Sequence, residues 1–579
     1  MCPNTCQSIL PDWCSIFSHY SPVIHHVPKG ARNAWARLVF DTFSAINEDF
    51  SNPDPWCRLF MLPRCVLSNP ANGNRLRWRE LLNIVRSRIK RWQSNEVLDL
   101  WSDFLTGKGK INHQNRVPKK LSHPDRLRAS NARRAKRAVE AGQYRKAIQA
   151  LTSEGLAPAS SETLAEMLAK HPSGSLPPTP SSPPPPPPNI EAGEIIRALR
   201  SFPGDSAPGP SLLRASHIKE AVFCPSPLLG DKVLQAITIT VNHLSAGLAP
   251  SIVVPHLCGA TLLANKKRGG GHRPIAVGEV LRRLTSKCLS RAVQTDVHHV
   301  LTPLQLGVGV KAGCEAIVHA VSHTLEDGNL PPDTRRVLLL DFSNAFNNID
   351  RSHMFAEIRA RIPVLSGWVE SCYSAQPLLH FGNHTILSQS GVQQGDPLGP
   401  LCFALTLHPI VEKIKREVPD LLINVWYLDD GTLCGAAQDL LKALLIIEED
   451  GPSRGLLLNR SKSLQFIPKD VQDPYNPLPS EIPLTRVGFS LLGSPIGPAS
   501  FCESIVAKRV DKIRAAVSKL WDLQDSQIEA TLLRSCLSLP KFNFVLRTCP
   551  FPLIQHSILA FDDLMRESLS DLVGGPVSD

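Results

Sequence analysis

Leu421 to Cys434 reads LLINVWYLDDGTLC, an apolar run, two adjacent aspartates, a glycine and a second apolar run. Two β-prone stretches around turn residues predict a hairpin, Leu421–Tyr427 and Thr432–Cys434, with Asp429 and Asp430 in its turn. An Asp-Asp pair in a turn is ordinarily only a turn former. Eighty-eight residues before Asp429, however, Val337–Asp341 (VLLLD) reads as an apolar strand that also ends in a carboxylate. Carboxylates beside buried strands are costly unless positive charge meets them. A pair of divalent cations would meet that need by drawing Asp341 and Asp429 together across neighbouring strands. Two Mg²⁺ ions so held can activate a hydroxyl and stabilise a leaving pyrophosphate.

The surrounding chain supplies the frame. Leu398–Val418 predicts a long helix, with Leu401, Leu405, Ile410, Ile414 and Val418 recurring near period 3.6. Strands alternating with helices, some paired as hairpins, predict an α+β palm on a split βαβ plan. Pro172–Pro188 (PSGSLPPTPSSPPPPPP) cannot enter a helix or sheet interior and predicts an extended spacer over 172–189. Upstream, Arg77–Gln93 and Ser130–Leu151 predict amphipathic helices with strongly basic faces.

Composition narrows the class. The 579 residues are 42% hydrophobic and 20% charged, enough apolar material for a large core, and fifteen irregularly spaced cysteines fit free thiols better than a disulfide scaffold. No apolar run is long enough for a transmembrane helix, and no secretory signal pattern opens the chain. The net charge of +11 is concentrated. Between Arg75 and Lys146 twenty Lys and Arg face six Asp and Glu, so a polyanion is the expected partner of this segment. Its candidate nucleic-acid contacts are Arg86, Arg88, Lys90 and Arg91 on the first helix, and Arg133, Arg134, Lys136 and Arg137 on the second. Cys2, Cys6, Cys14, His19, His25 and His26 match no standard zinc-finger spacing.

Read in order, the chemistry-bearing stretches resemble those of reverse transcriptases, and most closely those of non-LTR retrotransposons of the long interspersed element type. DFSNAFNNID from Asp341, SGVQQGDPLGPLCFAL (Ser390–Leu405) and YLDDG (Tyr427–Gly431) resemble motifs A, B and C. SAPGPSLLRASHI (Ser206–Ile218) resembles an upstream finger motif, HRPIAVGEVLRRLTSKCLSRAV (His272–Val293) the RPI motif, GLLLNRSKS (Gly455–Ser463) motif D, and LLGSPIG (Leu491–Gly497) the primer grip. The likeness runs over roughly Gly204–Gly497, with weaker similarity at VPKGARNAW (Val27–Trp35).

The resemblance implies a right-hand polymerase, with fingers over 190–334, a palm over 335–500 and a partial helical thumb over 501–579. A mainly helical basic region over 1–171 precedes it. It implies that Asp341 and Asp429 bind two Mg²⁺ ions, with Mn²⁺ able to substitute. The Phe342 carbonyl adds a ligand, and Asp430 completes the acidic cluster. Phe346 takes the place of the aromatic gate that excludes a 2′-hydroxyl. Gln394 and Gly395 belong to the nucleotide pocket, and Arg273 with Lys266 or Lys267 would meet the triphosphate. Lys462 is the candidate general acid for pyrophosphate, and Leu492 and Gly493 lie in the primer grip. Leu428 stands where Ala or Val is frequent in the family.

The expected function is RNA-directed DNA polymerisation from an RNA template, a DNA primer or target, and dNTPs. No membrane is involved, and the setting is a nuclear or cytoplasmic ribonucleoprotein, intracellular and not secreted. No endonuclease motifs are legible, so a truncated reading frame is expected. Three rivals share parts of this pattern: a non-catalytic RNA-binding remnant, a group II intron reverse transcriptase with maturase activity, and an RNA-dependent RNA polymerase. Phe346 weighs against the last.

Overall fold

The computed structural model of the chain describes residues 10–18, 22–69, 77–107, 123–153, 155–178, 182–267, 270–471 and 476–577. These carry many helices and eleven strands. The strands are β1 (Ala260–Lys266), β2 (His272–Gly278), β3 (Arg336–Leu340), β4 (Leu378–Phe381), β5 (His384–Leu387), β6 (Ile423–Tyr427), β7 (Asp430–Gly435), β8 (Leu464–Phe466), β9 (Leu484–Thr485), β10 (Phe489–Leu491) and β11 (Ser494–Ile496). The class is α+β, and before Ala260 the described residues form helices and no strand. Contacts divide the chain into two compact units: 1–116 with 156–300 and 344–406, and 117–155 with 301–343 and 407–579.

In the first unit the sheet order is β2-β1-β4-β5. β1 and β2 form a seven-rung antiparallel hairpin from Ala260↔Gly278 to Lys266↔His272, while β4 joins β1 in parallel. Apolar residues alternate inward along β1, and Ala260, Leu262 and Ala264 pack with Ala276, Leu379, Phe381 and Ile386. Met167 and Leu164 of the helix Ser161–Lys170 close over the same cluster. The N-terminal helices Arg32–Glu48, Pro53–Leu67 and Trp78–Gln93 bury Trp35 and Trp56, and Trp35 Nε1 donates to the His217 carbonyl at 2.9 Å. Residues 172–178 and 182–188 carry neither helix nor strand, and helices on both sides of this stretch belong to the first unit.

In the second unit the sheet order is β6-β7-β3-β8-β9. The strand and hairpin predicted around the aspartates form at nearly the expected residues. Central β3 is antiparallel to β7 and β8, and its apolar face packs on the helix Gly313–Glu326 through Ile317, Val318 and Val321. The predicted long helix spans Gly399–Glu417, and the division between units falls within it.

Two expectations are corrected. The single helix over Ser130–Leu151 is two, His123–Glu140 and Tyr144–Thr152, because Gly142 adopts φ +69° and ends the first. The thumb-like stretch after Phe501, which the sequence predicts as two helices, Glu503–Leu523 and Ser526–Leu546, is more divided: Ala499–Val517, Ser526–Leu532, a π-turn over Leu533–Leu537, Leu539–Thr548 and Gln555–Val573. Pro540 cannot continue the preceding helix, so the chain restarts there.

The basic helix pair belongs to this C-terminal bundle. Ala132, Ala135, Ala147, Ile148, Ala150 and Leu151 share one buried cluster with Val506, Val510, Leu532, Leu537, Phe542 and Phe561. Arg133, Arg134 and Arg137 point outward from the opposite face. Truncating a buried aliphatic at such a contact costs about 2–5 kcal/mol. Leu151→Ala should therefore shift urea unfolding by that order and speed tryptic cleavage within 123–153; unchanged cleavage would mean that the pair contributes little to the bundle.

Candidate active site

The strand register brings the acids together. Leu340 pairs with Gly431 and Tyr427 with Asp430, so Asp341, leaving β3, comes opposite the turn that holds Asp429 and Asp430. Ser463 Oγ accepts from the Asp341 amide at 3.2 Å, and the Asp341 carbonyl accepts from Asn459 N at 2.8 Å. Phe342 bridges to Leu458 and stacks on Trp426 with ring centroids 6.0 Å apart. The β3 chain is thus held on one side by 457–459 and on the other by β7.

The acidic turn is built against preference. Leu428 sits at φ +57°, a region that costs a leucine roughly 1 kcal/mol or more. Buried Gln305 compensates: its Oε1 accepts from Leu428 N at 2.8 Å and from Gly307 N at 2.9 Å, and its Nε2 donates to the Leu428 carbonyl at 3.2 Å. A Cβ on Gly307 would lie 2.6 Å from Leu428 N, so this approach needs glycine. Leu428, where Ala or Val is frequent in the family, is thus defined by a backbone conformation held by Gln305, a residue the motif pattern did not single out.

A cavity of about 230 Å³ opens beside the acids, lined by Asp341, Asp430, Lys462, Leu464 and Ser490–Leu492. It brings the motif D lysine and the primer-grip turn to the carboxylates. That turn joins β10 and β11 through Leu492 (φ +49°) and Gly493 (φ +91°), and the Gly493 carbonyl accepts from Arg509 Nη2 at 2.8 Å. Desolvation in the cleft, followed by the charges of Asp429 and Asp341, pushes Asp430 up to about 6, although the residue keeps an exposed edge. Among the described residues no three His, Cys, Asp or Glu side chains converge as a ready-made metal cluster. The donors that the resemblance implies for Mg²⁺, Asp341, Asp429 and the Phe342 carbonyl, are all oxygen, the donor chemistry Mg²⁺ takes alongside substrate phosphates and water.

The other predicted residues lie in the first unit. Lys266 ends β1, Lys267 begins the hairpin turn, and Arg273 on β2 pairs with Asn265; all three side chains are exposed. Phe346 is half-buried and stacks on Phe403 with centroids 4.7 Å apart. Gln394 keeps a partly exposed side chain while its carbonyl accepts from Ala276 N at 2.8 Å. Gly395 has φ +139°, and a Cβ there would lie 2.2 Å from the Ala276 carbonyl. The close approach this glycine permits is to β2 of the same unit.

Beneath that turn lies a polar group invisible to motif reading. Buried Arg282 donates to Asp396 Oδ2 at 2.7 Å, to the Cys258 carbonyl at 2.5 Å and to Gln393 Oε1, while Tyr373 OH donates to Asp396 Oδ2 at 2.8 Å. The QQGD sequence thus divides its labour: Gln393 and Asp396 fix the loop, and Gln394 and Gly395 form its outer edge.

The two basic helices also fall in different units. On the helix Trp78–Gln93, Arg86 donates to the Gly30 carbonyl at 2.8 Å and Arg88 to the Ser68 carbonyl at 2.7 Å, and Arg91 pairs with Glu96 and Asp103 at 2.8 Å. Lys90 is exposed. Cys2, Cys6 and His19 lie outside the described residues; His25 pairs with Asp205 and His26 with Glu220.

Residues 265–496 match the family model described as reverse transcriptase (RNA-dependent DNA polymerase). A curated relative, the retrotransposable element SLACS 132 kDa protein of Trypanosoma brucei gambiense, is 24% identical over 299 residues. The match covers 49% of this chain and 24% of the relative, so the chain spans about a quarter of that protein's length. A solved structure, apo telomerase from Candida tropicalis, aligns at TM-score 0.36 and 12% identity over 56% of this chain and 59% of the other, a likeness too weak to argue from. Residues 265–496 therefore match a reverse transcriptase domain, and the chain is similar over about half its length to a retrotransposable-element protein.

The raised Asp430 carboxyl has a testable sign. Its folded value of about 6 exceeds the unfolded value near 3.8, so its contribution to stability is full below pH 4 and is lost as pH rises through 6. In metal-free protein Asp430→Asn should therefore melt above wild type at pH 7.5 and level with it near pH 4, by about 1 kcal/mol at most because solvent screens the exposed edge. Equal melting at both pH values would refute the repulsion.

Proposed function

We propose that this chain copies RNA into DNA by two-metal nucleotidyl transfer, as the polymerase of a non-LTR retrotransposon. The observation that carries the reading is the register of β3, β6 and β7, which puts Asp341 opposite the Asp429–Asp430 turn and opens that corner into the cavity holding Lys462 and Leu492. Asp341, Asp429 and the Phe342 carbonyl would hold Mg²⁺, with Mn²⁺ as substitute. Bound there, the metals would lower the pKa of the primer 3′-hydroxyl and neutralise charge on the phosphates.

This chain's own residues do the rest. Asp430 keeps the cleft anionic and so draws cations. Lys462, on the cavity wall, would give its proton to pyrophosphate as it leaves the α-phosphorus. The Leu492–Gly493 turn would steady the primer end. By the resemblance, Lys266 or Lys267 and Arg273 bind the triphosphate, Phe346 excludes a 2′-hydroxyl, and Gln394 and Gly395 line the nucleotide pocket. Fingers over 190–334, palm over 335–500 and thumb over 501–579 form the functional partition of this reading, preceded by a basic region over 1–171 and the 172–189 spacer. Its setting is an intracellular ribonucleoprotein, nuclear or cytoplasmic.

Primer extension on an RNA template with dNTPs and Mg²⁺ tests the reading directly. Wild type should extend, and Asp429→Ala should lose at least about a thousandfold in rate, several kcal/mol of transition-state stabilisation. Extension that survives in the variant would remove Asp429 from the mechanism. Failure of well-folded wild type that still binds primer–template would favour the RNA-binding remnant.

The nucleic-acid surface is best supported on the helix His123–Glu140, whose Arg133, Arg134 and Arg137 are exposed and whose Lys136 is partly so. Replacing the three arginines by alanine should weaken RNA binding and reduce the slope of log K against log salt by about 1 per lost phosphate contact. An unchanged slope would move the surface elsewhere.

A further inference from the structure

Running into the start of the proline stretch, in a region without polymerase motifs, Leu156–Gly174 is laid across the elements that carry the predicted nucleotide contacts. Leu156 bridges to Asn265, and Ala157 N donates to the Ala264 carbonyl at 3.0 Å, so the segment pairs along the outer half of β1. The helix Ser161–Lys170 then seats Met167 and Leu164 in the sheet's apolar cluster. From that helix Glu166 reaches the far end of the hairpin. Its Oε1 accepts from the His272 amide at 2.8 Å, and its Oε2 bonds His272 Nδ1. Lys170 pairs with Glu166 at 2.7 Å and donates to the His272 carbonyl.

His272 is therefore gripped at its amide, its ring and its carbonyl. It faces Lys266 in the register, and the adjoining rung is Asn265↔Arg273. Leu156 holds one side of these two rungs, and Glu166 with Lys170 holds the other. These rungs bear Lys266 and Arg273, and the turn between them bears Lys267.

The same segment continues to two further loops. The Lys170 carbonyl accepts from Asn344 Nδ2 at 2.9 Å, two residues before Phe346. Gly174 then lies against 389–390, where a Cβ would come 2.9 Å from the Gln389 carbonyl, just before the loop that carries Gln394. One short stretch thus touches the hairpin, the turn before the aromatic gate, and the approach to the glutamine loop.

We propose that Leu156–Gly174 is a brace for the nucleotide pocket and that Glu166 is its positioning residue, fixing the β1–β2 hairpin so that Arg273 and its lysine partner meet the triphosphate in place. The proposal rests on the nucleotide-binding reading of Lys266, Lys267, Arg273, Phe346 and Gln394. The physical reason is preorganisation. Exposed cations on an unsupported hairpin tip would have to be ordered on each binding event, and prior fixation removes that cost from the affinity. A carboxylate suits the task because it accepts from a backbone amide and a ring nitrogen while paired to an ammonium, and charge-assisted bonds of this kind are the stronger ones. The Lys170 and His272 hydrogen bonds outweigh burial and hold the Glu166 carboxyl down at about 2, so it is ionised throughout the working pH range.

Glu166→Gln in the full chain is the test, with Glu166→Asp and Arg273→Ala beside it. In hydrogen–deuterium exchange, peptides within 260–278 should exchange faster in Glu166→Gln, while the β3–β7 peptides and the melting temperature stay as in wild type. In primer extension KM for dNTP should rise about tenfold with kcat within about twofold, equivalent to about 1.4 kcal/mol of binding; Glu166→Asp should recover part of the loss. Unchanged exchange over 260–278 would overturn the brace whether or not the preparation polymerises. If Arg273→Ala raises KM and Glu166→Gln does not, the nucleotide reading stands and the positioning role falls. If Glu166→Gln loosens the hairpin while neither variant changes KM, the nucleotide reading itself is at fault and the pocket role falls with it.

Discussion

Three carboxylates lie near one another at the open end of one antiparallel sheet, and most of the surrounding structure can be understood as the means of keeping them there. Asp341 leaves β3 opposite a turn that carries Asp429 and Asp430, and partial desolvation together with the two neighbouring charges raises the carboxyl of Asp430 although the residue is exposed. Left to themselves the charges would favour fraying the strand ends apart. They are held instead by backbone pairing on both sides of β3, by the Asn459–Ser463 turn beneath Asp341, and by Gln305 clamping Leu428 in a left-handed conformation. A site that stores repulsion in this way is poised for cations, since binding recovers what the fold has to oppose.

The first unit solves a different problem, the shape of the loop that ends in Gln394 and Gly395. The loop contains two glutamines, a glycine at φ +139° and an aspartate, and it turns just before a long apolar helix. Its shape is set by an ion pair with almost no access to water, Arg282 with Asp396, which also bonds Tyr373, Gln393 and the Cys258 carbonyl while Arg282 Nε is left buried without a hydrogen-bond partner. Removing one member of such a buried pair typically costs about 3–5 kcal/mol, because the other is left charged without a partner. Sequence places Asp396 in a loop; only the fold shows that it is the loop's internal anchor.

Legibility followed periodicity and chemistry, and failed where a side chain acts through distant backbone. The hairpin over 421–434, the strand ending at Asp341 and the helix over 398–418 were readable because their apolar spacing is regular and the turn residues stand between them. Gln305 in PLQLGVG resembles an ordinary loop amide, and nothing local shows that Leu428, 123 residues away, depends on it. Arg282 and Arg283 are adjacent on one helix, yet Arg282 bonds buried Asp396 while Arg283 donates to the Ala207 carbonyl at 2.8 Å. Glu166 sits in SETLAEMLAK, an amphipathic stretch whose polar face reads as solvated. Gln305, Arg282 and Glu166 each pair across more than a hundred positions of chain, beyond the range of any helical or strand period.

The same limit governs the basic segment. Counting charge over Arg75–Lys146 gives one strongly positive window, but the guanidinium groups of Arg86, Arg88 and Arg91 are directed to the Gly30 carbonyl, the Ser68 carbonyl and two carboxylates. Such arginines are part of the packing of their own helices, and burial pushes the pKa of Arg88 down. The helix His123–Glu140 differs because alanines, not long aliphatics, form its buried line, with Ala132 and Ala135 against the C-terminal bundle. Small residues let the helix lie close, and none of its arginines is needed to fill the interface. Arg133, Arg134 and Arg137 are therefore left outward on a rigid support, the condition under which side-chain charge acts on a phosphate backbone at the smallest cost in ordering. Net charge locates the segment; the direction in which each guanidinium is used decides which part of it can hold nucleic acid.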